Sequence, residues 1–172
     1  IEMEKIKAIE IALNNELRER DFYLKQSEKS ADPLGKKMFA TIAQEEEEHY
    51  EYLKELHQKL QKAGKWPEDI SAVIKETNVK QVLDELVDKV HYKSTATADD
   101  KEALRIAINF EKSAYQFYTD LIKQSDQPNE KALFEQLAAL EMEHMTSLEE
   151  TLLYFEDPAD WFAQHEKPTL DG

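Results

Sequence analysis

The chain has 172 residues, 41% hydrophobic and 34% charged, a balance that suits one soluble domain with a continuous core and excludes a disordered chain. A formal net charge of −15 repels phosphate backbones and anionic lipid, so neither nucleic acid nor a membrane is an expected partner. The absence of cysteine excludes disulfides, thiolate nucleophiles and iron–sulfur or rubredoxin-type centres within the chain, and fits a cytoplasmic location.

Three glycines and five prolines leave room for long helices and little for the turns of an all-β fold. No stretch reaches the ~18 apolar residues of a membrane span, and no apolar signal region is expected at the N-terminus. The first helix is predicted from about Glu4 to Ser30, where Ser30-Ala31-Asp32 precedes Pro33, a favoured first-turn residue of the next helix. That second helix should run to about Lys62 and stop at Ala63-Gly64-Lys65-Trp66-Pro67. A connection follows over residues 64–98, within which Val79, Val82, Leu83, Leu86, Val87 and Val90 have the spacing of a short amphipathic helix. Another helix is predicted from Ala98 to Ser125, and Asp126-Gln127-Pro128 then repeats the earlier punctuation. The last long helix should end near Glu156, before Asp157-Pro158. Residues 157–172, with Trp161 and Phe162, are expected to form a C-terminal tail packed on the bundle of residues 1–156.

An internal repeat organises these elements. Ile9 to Leu60 aligns without a gap on Leu104 to Phe155, at a constant offset of 95, with 16 identities in 52 positions. Chance would give roughly three at ordinary residue frequencies. The shared positions include Asn14/Asn109, Glu16/Glu111, Phe22/Phe117, Tyr23/Tyr118, Phe39/Phe134, Glu46/Glu141, His49/His144 and Leu53/Leu148. The chain is therefore a duplicated helical hairpin, and the long connection lets one copy lie across the other.

The repeat places charge where apolar residues belong. Ile42, Glu46, His49 and Leu53, spaced four, three and four, share one helix face, as do Leu137, Glu141, His144, Leu148 and Leu152. Glu16 continues the stripe of Ile9, Ala12 and Leu13, and Glu111 that of Leu104, Ala107 and Ile108. Four core-facing carboxylates cannot share one interior unaided, because isolated buried charges cost several kcal/mol each. No Lys or Arg stands at matching core positions in both halves, although Arg20 could approach one side. Two divalent cations resolve the conflict: each Glu-x-x-His pair reaches one metal, and the lone glutamates Glu16 and Glu111 complete and bridge the pair. This is the ligand set of carboxylate-bridged di-iron and di-manganese bundles. Of Glu45-Glu46-Glu47-Glu48, only Glu46 is expected to point inward, the others forming a solvated face. His57, His91 and His165 lack a counterpart in the other half and read as surface or packing residues.

At these residues the chain resembles the rubrerythrin family of the ferritin-like superfamily, over about Glu4 to Glu156. The resemblance implies an all-α, ferritin-like four-helix bundle of two repeated hairpins joined by a long crossover. It also implies two iron ions held by Glu16, Glu46, His49, Glu111, Glu141 and His144, with manganese suiting the same ligands. The activity implied is reduction of hydrogen peroxide, with dioxygen as the competing oxidant. Tyr23 and Tyr118, seven residues after the lone glutamates, are similar to that family's tyrosines that bond to ligating carboxylates. The chain departs from the family pattern twice. It has no four-cysteine rubredoxin domain, so an external donor such as a rubredoxin-like protein is implied. The family's extra glutamate, which takes part in a redox-dependent change of metal ligands, falls at Ala114, while the equivalent position of the first half holds Glu19, a candidate for a mirror-image extra ligand. A cytoplasmic homodimer is the expected assembly. Two other functions suit the same pattern: ferrous iron oxidation with iron binding or storage, and a metal-free structural or interaction bundle.

Overall fold

A computed structural model describes residues 2–68, 74–87 and 93–165. Among these residues there are six helices and no strand: α1 (Glu2–Lys29), α2 (Pro33–Ala63), α3 (Val79–Val87), α4 (Ala98–Gln124), α5 (Pro128–Glu156) and α6 (Pro158–His165). The fold is the expected all-α bundle of two long hairpins. Val90, His91, the side chains of Leu86 and Val87, and the tail from residue 166 lie outside the described residues.

The turn between α1 and α2 is three residues long because its side chains satisfy the helix start. Asp32, extended at φ −86°, accepts hydrogen bonds from the backbone N–H groups of Leu34 and Gly35, and Pro33 occupies the first turn, where no N–H is needed. The other oxygen of Asp32 accepts from the backbone N–H of Thr95 at 2.7 Å, so one buried carboxylate ties the end of the crossover to the first hairpin. α2 ends at Gly64, whose φ of 64° is the left-handed conformation that glycine adopts without a Cβ penalty. A reciprocal capping box between Thr97 and Asp100 opens α4.

Neighbouring helices run antiparallel. α1 and α2 are linked near their middles by Arg20 to Glu47 at 2.5 Å and further along by His57 to Glu10 at 3.1 Å. Between hairpins, α1 meets α4 through Tyr23 with Glu111 and Tyr118 with Glu16, and α2 meets α5 through His144 with Glu45 and Glu46. α3 packs on α2 and α5, and α6 on α5.

The interior has three tiers. One apolar cluster holds Tyr23, Phe39, Ile42, Leu83, Leu104, Leu148 and Trp161; another holds Ile9, Leu53, Leu60, Trp66, Tyr118, Phe134 and Leu137. Between these blocks each long helix buries polar residues: Glu16 and Glu19, Glu45 with Glu46 and His49, Glu111, and Glu141 with His144, beside the apolar Ala114 and Leu140. Trp66 and Trp161 also obey the repeat offset, beyond the aligned segment. Trp66 packs against Phe134, with ring centroids 6.0 Å apart, and Trp161 joins the cluster of Phe39, each closing one end of the core. Thr151, fully buried with its hydroxyl donated to the Ser147 carbonyl, takes the core position that Leu152 was expected to hold; Leu152 is only half-buried. A hydroxyl can turn inward there because the preceding helical turn supplies its acceptor.

Candidate metal centre

The six residues expected on the polar stripe come together in the middle tier, all nearly or fully inaccessible to solvent. They form two interlocking groups, Glu16–Glu46–His49–Glu141 and Glu46–Glu111–Glu141–His144, in each of which one ligating atom per residue lies within 4.8 Å of the others. Glu46 and Glu141 belong to both groups. The shared carboxylates are thus those of the Glu-x-x-His pairs, whereas sharing was expected of Glu16 and Glu111, each of which belongs to one group. The reason is position on the bundle: Glu46 and Glu141 stand on the facing helices α2 and α5, and each side chain can reach both groups.

The donor atoms are aimed at one another without being bonded. Nδ1 of His49 lies 3.6 Å from Glu16, 3.6 Å from Glu46 and 3.7 Å from Glu141. Nδ1 of His144 lies 3.1 Å from Glu46 and 3.6 Å from Glu111. Both Nδ1 atoms, both oxygens of Glu46 and of Glu141, and Oε2 of Glu16 and of Glu111 are buried with no hydrogen-bond partner. Orphaned buried polar atoms at this density are not tolerated in ordinary cores. Ligands about 2.1 Å from a shared cation stand roughly 3.0–3.4 Å apart at octahedral to tetrahedral angles, which is close to these separations. Four carboxylates carry four negative charges, which two divalent cations cancel. By donor chemistry, charge and spacing, the residues fit a pair of hard-to-borderline divalent metals.

The electrostatics agree. Burial, with the charge of Glu46 added, pushes the Glu16 carboxyl up to about 8. Burial and the carboxylates of Glu111, Glu46 and Glu16 drive Glu141 well above the usual carboxylate range. Burial alone would lower His49, but Glu16 and Glu46 outweigh it and lift the imidazole up to about 10. Glu46 goes the other way: burial opposes its ionisation, yet Glu16, His144 and His49 close beside it favour its charged form and hold it low. Without a cation, protons stand in for the missing positive charge.

Around this cluster, Tyr118 donates to Oε1 of Glu16 at 2.5 Å and Tyr23 to Oε1 of Glu111 at 2.6 Å, each from the opposite hairpin. Burial raises both phenols well above their ordinary value, so they stay protonated donors. Glu19 is buried beside the six, outside both groups, with Oε2 unpartnered. Burial and the charges of Glu46, Glu16 and Glu111 raise its carboxyl well above the usual range. It lines a cavity of about 410 Å³ between α1 and α4, with Asn15, Arg18, Phe22, Phe110, Ser113 and Ala114. Arg20 stays outside the core, paired with Asp21 and Glu47.

Glu45 departs from the expectation that only Glu46 of the four-glutamate run points inward. It is buried, and it accepts a hydrogen bond from Nε2 of His144 at 2.6 Å. Thr77 and the backbone N–H of Asn78 hold it from the other side. The crossover lies over this side of α2 and removes it from solvent, and nothing in the local helical pattern shows where the crossover will lie. Among the other histidines, His57 pairs with Glu10, and His165 stacks on Trp161 with ring centroids 4.0 Å apart.

No helix among the described residues is long and apolar enough to cross a membrane. Compared with known proteins, the chain matches no curated protein and no solved structure. The family model described as Rubrerythrin matches residues 7–152 and, overlapping this, residues 102–169. With both hairpins and the polar tier inside the matched region, the chain belongs to the rubrerythrin family.

Proposed function

We propose that this protein is a cytoplasmic, homodimeric di-iron oxidoreductase that reduces hydrogen peroxide, with electrons from an external donor such as a rubredoxin-like protein. The observation that carries the reading is the pair of buried Glu₃His groups sharing Glu46 and Glu141, since a shared pair of carboxylates holds two cations at a fixed separation. Glu16 and His49 would complete one metal position, and Glu111 and His144 the other. Iron bound there supplies one-electron redox chemistry at each ion, two electrons together being what peroxide needs to become two waters. Manganese suits the same donors.

The chain's own groups do the rest. Tyr118 and Tyr23 orient Glu16 and Glu111 so that the remaining oxygen of each faces the cluster. The two apolar clusters exclude water from above and below. The cavity between α1 and α4 is the side from which a small oxidant reaches the tier, and Glu19 stands on its wall with a free carboxyl oxygen. Ala114, the position equivalent to Glu19 in the second hairpin, keeps the opposite wall small. A carboxyl at Glu19, raised as it is, can hand a proton from Oε2 to a departing oxygen.

Stopped-flow mixing tests the reading. Reduced, iron-loaded protein should be oxidised much faster by hydrogen peroxide than by dioxygen at equal concentration. Equal or slower oxidation by peroxide would defeat the peroxidase assignment and leave the metal site standing.

A further inference from the structure

The duplication makes the two halves of the centre alike, and one buried residue breaks that likeness. Glu45 has Leu140 as its counterpart in the second hairpin, a side chain that accepts no hydrogen bond. Glu45 leaves its own hairpin and binds Nε2 of His144 on α5 at 2.6 Å. Its carboxylate is fixed from the crossover: Thr77 Oγ1 donates at 2.7 and 2.9 Å to its two oxygens, and the backbone N–H of Asn78 donates at 2.7 Å. An ionised carboxylate only accepts, so His144 Nε2 carries the proton in this bond and Nδ1 is the atom turned toward Glu46 and Glu111.

An imidazole whose far N–H is held by a carboxylate is locked in orientation and is a stronger donor through its other nitrogen. Loss of such a partner costs roughly 10–100-fold in metal affinity. We infer that Glu45 is a positioning residue that makes the two metal positions unequal, the one served by His144 binding its ion more tightly than the one served by His49. The inference rests on the di-metal reading above. It also ties the crossover to the centre, because Thr77 and Asn78 hold Glu45 in place.

Titration of the metal-free protein with Co(II), followed by visible absorption, tests it. The wild-type protein should take up two ions in two resolved steps. Glu45→Leu, which copies Leu140, should weaken the tighter step by roughly 10–100-fold and leave the other within about twofold. Glu45→Gln, whose amide oxygen still accepts from Nε2, should recover most of the loss, and helical circular dichroism reports whether each variant is folded. In a His144→Ala background, Glu45→Leu should have no further effect beyond about twofold. Two ions bound with both steps unmoved by Glu45→Leu would overturn this inference alone, as would an equal loss in the His144→Ala background. A wild-type protein that takes up no Co(II) would overturn the di-metal reading itself.

Discussion

The phenol of Tyr118, on α4, donates a 2.5 Å hydrogen bond to Oε1 of Glu16, on α1. Tyr23 and Glu111 make the same bond in the opposite sense, at 2.6 Å. Each tyrosine thus joins the two hairpins and leaves the second oxygen of its glutamate facing the polar tier. Tyr118→Phe should lower the free energy of unfolding by about 1–3 kcal/mol, the cost of leaving a buried acceptor unmade, and Tyr23→Phe should do much the same. Urea unfolding of each variant measures this. A change well below 1 kcal/mol would mean that the phenols are only core filler.

Asp32 offers a test at the fold level. One of its oxygens caps α2 and the other holds Thr95 at the end of the crossover. Removal of a helix cap alone costs typically ~1 kcal/mol, and a second bond to the same charge adds to that. Asp32→Ala should therefore destabilise the protein by at least about 2 kcal/mol, with helical content retained below the transition. A loss no larger than that of an ordinary surface substitution would show that the crossover is anchored elsewhere.

The hairpins and the six cluster residues were legible in the sequence for one physical reason. Duplication wrote the same pattern twice, so Glu46-x-x-His49 and Glu141-x-x-His144 at one offset could not be surface accidents. Which carboxylates would be shared was not legible, because it depends on how α2 faces α5 and not on spacing along either helix. Glu45 was hidden for a related reason. In a run of four glutamates the helical period leaves room for one inward residue, and only the crossover lying over α2 makes a second one buried. Thr151 was missed because hydropathy favours the neighbouring Leu152, while the hydroxyl is satisfied by its own helix.

The metal-free protein should lose stability as the pH rises. Glu16 is raised from 4.5 to about 8, and His49 from 6.5 to about 10. Both hold protons in the folded state that the unfolded chain has released, so their stabilising contribution is full below the unfolded values and is lost as pH climbs through the folded ones. The lowered Glu46 contributes fully above the ordinary carboxylate range and leaves that slope unchanged. Thermal midpoints of the metal-free protein should thus fall between about pH 6 and pH 9. Metal binding requires deprotonated ligands, so loading should release protons and remove or reverse the trend. Midpoints that stay level without metal would contradict the protonation pattern.

Glu19 lies outside both groups yet lines the cavity beside them, so under the proposed function it serves the chemistry without holding a metal. Glu19→Ala should retain the bound metal and slow oxidation of the reduced protein by peroxide by about 10²-fold, the usual contribution of a positioned proton donor. Single-mixing kinetics, with metal content measured on the same sample, give both numbers. Loss of metal in this variant would make Glu19 a ligand instead.

Two metal ions held through shared carboxylates are what the proposed function requires of the buried tier. Elemental analysis of protein from iron-replete cells, alongside the Glu46→Ala, Glu141→Ala double variant, tests this requirement most directly. Two irons per chain in the wild type and none in the variant is the predicted result, because both shared ligands belong to both groups. A folded wild-type protein that holds no iron or manganese after reconstitution would contradict it.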